Sequence, residues 1–243
     1  MVFIIMPPPI VLIPGLAADA SMWAAQRTAL AATREVHVSD VHFRFATLPD
    51  MARALLAEHA GELVLCGASM GGIVALEAQR QAPQRVRGLA LLGTTARPDT
   101  PEVAALRAQA FALIDEGRYE DMIVGNVPFS FHLSRLDEPA LANAYLDMLR
   151  RAGPQELVRQ NHATAARVDS RPLLSAIRCP TLVLCGDADI VTTVEASREI
   201  ARLVPGADFE LIAHCGHMLT MERPEAVNAA LLGWLDRHFS IGR

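Results

Sequence analysis

The residues best suited to chemistry in this chain are a serine, two aspartates and two histidines, each just beyond an apolar run. Glu62-Leu-Val-Leu-Cys-Gly67-Ala-Ser69-Met70-Gly71-Gly72 passes through Gly-x-Ser-x-Gly into an Ala-rich segment with helical spacing. That pattern reads as a strand, a tight turn and a helix, with Ser69 at the apex. An elbow of this kind forces the serine into a strained backbone conformation, so Gly67 and Gly71 must be small. The strain holds the hydroxyl clear of the sheet, and the helix N-terminus behind it favours developing negative charge.

A serine hydroxyl alone is a poor nucleophile; it needs a base, and the base needs an acid to orient it. After the apolar run Thr181-Leu-Val-Leu-Cys185 comes Gly186-Asp187-Ala188-Asp189. After Phe209-Glu-Leu-Ile212 comes Ala213-His214-Cys215-Gly216-His217. The chain order is Ser, Asp, His, and each candidate lies past the C-terminal end of a predicted strand. That is the edge where open α/β sheets build their sites. Asp187 and Asp189 both qualify as the acid, and His214 and His217 both qualify as the base.

The elements that must position these groups alternate. Strand signals fall near 10–13, 35–39, 62–66, 87–92, 180–185 and 208–212, and helical signals near 20–32, 48–60, 70–82, 193–203 and 224–238. Alternation of this kind predicts an α/β fold, a doubly wound, mainly parallel sheet of six or seven strands. Residues 97–170 break the pattern with helical periodicity alone: Pro101–Glu116, Tyr119–Val127, Glu138–Ala152 and Gln155–Ala166. Pro98, Pro128, Pro139 and Pro154 punctuate that stretch near the helix starts. The expected organisation is a core of residues 1–96 and 171–243 with a helical cap of residues 97–170 over the catalytic edge. A chain of 243 residues, 51% hydrophobic, suits one buried core plus such an insertion.

Composition narrows the rest. The formal charge is −5, and the basic residues are arginines scattered singly, so nucleic-acid binding gains no support. The Asp/His spacings match neither a paired-His metal helix nor a Cys-x-x-Cys knuckle, and neither a metal nor a cofactor is expected. Cys66, Cys179, Cys185 and Cys215 lie in or beside predicted strands and read as reduced, packed thiols. The apolar N-terminus lacks a positively charged region and is interrupted by three prolines, and no apolar stretch approaches membrane-spanning length. The expectation is a cytoplasmic protein with a small-molecule substrate, no membrane partner and an unread oligomeric state. His37, His42, His59 and His238 fall on predicted edges or surfaces and read as solvated. His214 reads as a partly buried strand-end residue, and Asp187 as a turn former bonded to backbone N–H groups.

Four landmarks carry a resemblance: Ile13-Pro14-Gly15-Leu16, Gly67-Ala-Ser69-Met-Gly71, Pro180-Thr-Leu-Val-Leu-Cys-Gly186-Asp-Ala-Asp189, and Gly216-His217-Met-Leu-Thr-Met-Glu222-Arg-Pro224-Glu225. With them the chain resembles the α/β-hydrolase superfamily, in the branch of small bacterial esterases, lactonases and carbon–carbon bond hydrolases. The resemblance covers nearly the whole chain. It implies an acid three residues after the glycine closing its strand, hence Asp189, and a base following a glycine, hence His217. It implies oxyanion-hole donors at the backbone N–H groups of Met70 and Leu16. Pro14 stands where the family commonly has a histidine that braces this loop.

The resemblance further implies that Val127–His132 and Asn161-His162 look into the pocket. That makes Phe129, Phe131 and His162 pocket candidates, with Ile190 and Met218 beside the triad. Asp40-Val-His42-Phe43-Arg44-Phe45 replaces a glycine-rich loop of many relatives and implies a bulkier wall; Trp23 reads as packing. An opening hairpin is absent or reduced to one short strand at Val2–Ile5. The implied activity is that of a serine hydrolase with a Ser-Asp-His triad, cleaving a small apolar carboxylic ester through an acyl-enzyme. A carbon–carbon bond hydrolase or enol-lactonase of aromatic catabolism is the alternative enzyme reading. A slow-turnover small-molecule receptor or signalling protein on the same fold is the non-enzyme reading.

Overall fold

Alternate residues of the same strands face opposite ways, and here both faces are apolar. The computed structural model describes residues 7–239. Its strands are β1 (Ile10–Ile13), β2 (Val36–Val38), β3 (Leu63–Ala68), β4 (Val86–Leu92), β5 (Thr181–Gly186) and β6 (Asp208–Ile212). They form one sheet in the order β2-β1-β3-β4-β5-β6, every neighbouring pair parallel. Ile10 and Leu12 pack into one apolar layer with Leu30 and Trp234, and Val11 and Ile13 into the other with Met51, Val74 and Ile200. β1, β3 and β5 are buried throughout, so their sequences read as continuous apolar runs. Fully burying each Val, Leu or Ile in them is worth about 1.5–3 kcal/mol over exposure.

The helices are α1 (Ala24–Ala31), α2 (Val41–Arg44), α3 (Leu48–Glu58), α4 (Met70–Gln81), α5 (Pro101–Asp115), α6 (Tyr119–Ser130), α7 (Pro139–Ala165), α8 (Arg171–Leu174), α9 (Val194–Leu203), α10 (Leu219–Glu222) and α11 (Pro224–Phe239). The strand order reverses between β1 and β3, which leaves a crevice beyond their C-terminal ends. The β1 loop and the β3–α4 turn meet there. Between β4 and β5 the chain is helical, α5 to α8.

Two helix boundaries differ from the sequence expectation. α6 runs through Pro128 to Ser130, because a proline so near the end deletes only one bond, to a turn where Val124 is exposed. The two helices expected at 138–152 and 155–166 are joined as α7, broken by a kink. Gly153 takes φ 80° there, a left-handed conformation open to glycine, immediately before Pro154. The strand expected at Val2–Ile5 lies outside the described residues. Among those residues no helix is long and apolar enough to cross a membrane.

Candidate active site

Each expected site residue stands at the tip of an element whose backbone permits little else. Ser69 sits between β3 and α4 at φ 53°, ψ −118°, a conformation that costs a non-glycine residue about 1–3 kcal/mol. Its N–H donates to Leu92 O (2.9 Å), and its carbonyl accepts from Gly72 N (3.0 Å) and Thr94 Oγ1 (2.7 Å). Those bonds hold the strained turn. A Cβ on Gly67 would lie 2.3 Å from Gly71 O, and one on Gly71 2.1 Å from Ile13 O. The elbow closes only because both side chains are absent.

The hydroxyl leads into an unbroken chain of hydrogen bonds. Ser69 Oγ is 3.0 Å from His217 Nε2, and His217 Nδ1 is 2.9 Å from Asp189 Oδ2. A ring nitrogen facing a carboxylate must carry the proton, so Nδ1–H donates to Asp189 and Nε2 is free to accept from Ser69. Asp189 is fixed in turn. Its Oδ1 accepts from Val191 N and Thr192 N, both at 2.9 Å, and its Oδ2 from Thr192 Oγ1 at 2.9 Å. Burial pushes the Asp189 carboxyl upward, but the His217 charge and the bonds from His217 and Thr192 outweigh it and hold the group below its ordinary range. Burial pulls the His217 imidazole down, yet Asp189 overrides it and holds the ring above its ordinary value. The pair favours the imidazolium that forms when a hydroxyl gives up its proton.

Asp187 stays outside this chain: its two carboxylate oxygens accept from His214 N (2.9 Å) and Cys215 N (3.0 Å), tying the β5 loop to the β6 loop. His214 is exposed rather than partly buried, at φ 52°, its ring 5.6 Å from that of His132.

The loop carrying His217 is clasped by the helical insertion. His217 N and Met218 N both donate to Ser130 O, at 2.9 and 3.1 Å. Glu222, 1% exposed, accepts from Gly216 N (3.0 Å) and His132 N (3.1 Å). Burial pushes its carboxyl above the ordinary range against the pull of those two amides. A Cβ on Gly216 would lie 2.7 Å from the Phe131 backbone.

The β1 loop is braced too, though not by its own residues. Ala17, at φ 55°, donates its N–H to Gln160 Oε1 at 2.7 Å, and the His42 Nε2–H donates to Ala18 O at 2.7 Å. Gln160 of α7 is fully buried. His42 is 1% exposed rather than solvated, because residues 41–44 coil into α2 and turn the ring inward. These two side chains support the loop where Pro14 offers no such contact. The sequence held one signal for Gln160: it is a polar residue on a buried stripe with Leu157, Asn161 and Thr164. Nothing local pointed to His42; Glu222 stood in the fourth landmark, but nothing there marked it as the acceptor that reaches the insertion.

Ser69 and His217 open into a cavity of about 360 Å³, walled by Gly15, Leu16, Met70, Met218 and side chains of α5, α6 and α7. Phe129 and Met218 line it as expected, and Asn161 does as well. Three other candidates do not. Phe131 is 4% exposed and packs edge-on against Tyr145 at 5.4 Å, held inward by the clasp at Ser130 and His132. His162 points the other way from α7, onto Phe111 and toward a second cavity of about 240 Å³. Ile190 is 61% exposed, because the Asp189 carboxylate draws the amides of Val191 and Thr192 inward and turns Ile190 outward. Val191 and Thr192 take its place on the wall. All four cysteines are free, and burial raises their thiols, Cys179 and Cys185 to about 11. None is poised as a thiolate nucleophile.

The family model for the alpha/beta hydrolase family matches residues 10–230. The chain belongs to the alpha/beta hydrolase family. Its six-stranded parallel sheet flanked by helices is shared with solved members of the family. It is similar to a thermophilic esterase from Thermogutta terrifontis, with 31% identity and a TM-score of 0.87 over 97% of this chain and 92% of that one. It is also similar to the enol-lactonase from Burkholderia xenovorans LB400, with 25% identity and a TM-score of 0.81 over 94% and 91% of the two chains. In sequence it is 26% identical to the pimeloyl-[acyl-carrier protein] methyl ester esterase of Nitrosomonas europaea, over 90% of this chain and 92% of the relative. The alpha/beta hydrolase relatives are thus esterase-like enzymes.

Proposed function

We propose that this alpha/beta hydrolase is a serine hydrolase of small carboxylic esters, with Ser69 as nucleophile, His217 as base and Asp189 as the acid that orients it. The observation that carries the reading is the continuous Ser69–His217–Asp189 hydrogen-bond chain opening into one mainly apolar cavity. Ser69 Oγ attacks the ester carbonyl as His217 Nε2 takes its proton. The N–H groups of Leu16 and Met70 hold the oxyanion of the tetrahedral intermediate. The intermediate collapses as His217 protonates the leaving alcohol. Water, deprotonated by the same imidazole, then releases the acid from the acyl-enzyme. Residues 97–170 act as a cap that shapes the cavity over a core formed by 1–96 and 171–243.

Support comes from the esterase-like relatives and from the match in geometry; the enol-lactonase likeness makes lactones the second substrate class to try. Intact-mass labelling with a fluorophosphonate, followed by a screen of esters, lactones and dienone-type carbon–carbon substrates, tests the reading. One label per chain is expected, lost in Ser69→Ala together with about five powers of ten in kcat. Esterase turnover surviving in a clean Ser69→Ala preparation overturns it.

A further inference from the structure

The catalytic cavity carries an uncancelled positive charge. Apart from His217, its only charged lining residues among those described are Arg107 of α5 and Arg167, just beyond α7; no carboxylate lines it. Both arginines lean on one carboxylate, Asp99, in the segment between β4 and α5. Arg107 donates to it through Nε (2.7 Å) and Nη2 (3.3 Å), and Arg167 Nη1 lies 2.5 Å from Asp99 Oδ1. These side chains are only 18%, 8% and 9% exposed, for Arg107, Arg167 and Asp99 respectively.

Every other partner of the two guanidinium groups is neutral. Arg107 Nη1 donates to Asn161 Oδ1, Arg167 Nε to Arg97 O (2.7 Å) and Arg167 Nη1 to Thr164 O (2.9 Å). The surrounding charges are already matched. Arg97 pairs with Glu199, Arg171 with Asp169 and Glu199, and Glu77, which borders the second cavity with Arg167, with Arg80. Two largely covered guanidinium groups thus share one carboxylate, leaving an excess of one positive charge in a region partly withdrawn from water. Burial, with Arg107 beside it, pulls the Arg167 guanidinium below its ordinary value, as an under-compensated cation should be. Among the described residues Arg167 Nη2 has no hydrogen-bond partner, and Arg107 keeps an N–H on each terminal nitrogen beyond the bonds named. A planar guanidinium with spare N–H groups matches the two oxygens of a carboxylate.

We propose that Arg107 and Arg167 form an anion subsite in the catalytic cavity, so that the substrate is an ester bearing a carboxylate away from the bond that is cleaved. The inference rests on the serine-hydrolase reading above and narrows its substrate class. The apolar wall receives the body of the molecule, and the arginines receive its charged end. The chemistry is unchanged: ester and water give acid and alcohol through the Ser69 acyl-enzyme.

The test compares matched pairs by pH-stat. Monomethyl glutarate against methyl pentanoate places the anion on the acyl side; 4-acetoxybutyrate against butyl acetate places it on the alcohol side. At least one pair should show kcat/KM at least ten-fold higher for the anionic member, with Arg107→Met lowering that ratio ten-fold or more, chiefly through KM. Asp99→Asn, which adds to the positive excess, should preserve or raise the ratio. Because the Arg107 variant can fail to fold, the wild-type enzyme is also assayed with p-nitrophenyl butyrate in the presence of glutarate or glutaramide. Glutarate should compete at least ten-fold more tightly. Neutral esters cleaved as well as their anionic partners, with glutarate no better than glutaramide, overturn the subsite while leaving Ser69 chemistry intact. No turnover of any ester and no fluorophosphonate label instead defeats the underlying reading.

Discussion

α4 and α5 both wall the cavity beside Ser69 and His217, and they are held in opposite ways. Nine of the twelve residues of α4 are buried, between the sheet and α3. None of the fifteen residues of α5 is, and its Leu106 is 64% exposed while still bordering the cavity. The strand-end wall is built from backbone in close approach, the wall at α5 from side chains half in water. Where main chain touches main chain, one added carbon has nowhere to go. Where side chains meet solvent, substitution shifts shape and charge at little cost to stability. The molecule thus keeps Ser69 and His217 on the rigid wall and the exposed side chains of α5 on the adaptable one.

That contrast can be tested at graded strength. Among changes that leave Ser69 in place, the largest loss should follow Asp189→Asn, which removes the partner that holds His217 in its tautomer. We expect kcat to fall by about four powers of ten. In the proposed mechanism the active form of His217 is the neutral one, and Asp189 raises its affinity for a proton. The acid limb of the wild-type kcat/KM profile should therefore have its midpoint above the ordinary histidine value of about 6.5. In Asp189→Asn only burial remains as a major influence, so the midpoint should move to lower pH. A limb unmoved by the substitution would break the assignment.

Next comes the elbow itself. Gly71→Ala places a carbon 2.1 Å from Ile13 O, and the cost should exceed about 4 kcal/mol, read as loss of the folded state or a collapse in Tm. An intermediate effect is expected at the clasp. Glu222→Ala strands two buried amides at about 1–3 kcal/mol each. It should lower both Tm and kcat with KM little changed, and Glu222→Gln, which keeps an acceptor, should recover part of the loss. The smallest effect belongs to the adaptable wall. Phe129→Ala, at a side chain 56% exposed, should shift Tm within the range of about 0.5 kcal/mol while reordering preference among ester chain lengths. Large destabilisation by Phe129→Ala would erase the distinction between the walls.

The same contrast separates what could be read in the sequence from what could not. Strands and core helices announce themselves through apolar runs and helical spacing, and the observed strands begin and end within one or two residues of the predicted bounds. Ser69 was legible because it follows a strand and a short turn leaves little freedom in where the next residues go. The same reasoning reached the pairs Asp187/Asp189 and His214/His217, and the choice of Asp189 and His217 within them rested on the resemblance. The insertion-facing residues were not. Helical periodicity in α6 and α7 reports which face is apolar, but not whether that face meets the cavity or the packed interior. Phe131 went to the interior and His162 to the outside. The bonds Gln160–Ala17, His42–Ala18 and Glu222–His132 escaped for another reason: they span 143, 24 and 90 residues. No local pattern encodes a bond of that span.

The clasp that joins Ser130–His132 to Gly216–Met218 has a consequence for how such a chain can diversify. The middle of the insertion is anchored to the loop that bears the imidazole, so residues 130–132 behave as part of the core. Exchanging the whole insertion for that of a relative would carry away the bonds that seat His217. Exchanging α5 alone would leave them in place. New substrate ranges should therefore be reached by grafts that begin after Ala96 and stop before α6, with the left-handed turn at Gly117 as the natural seam.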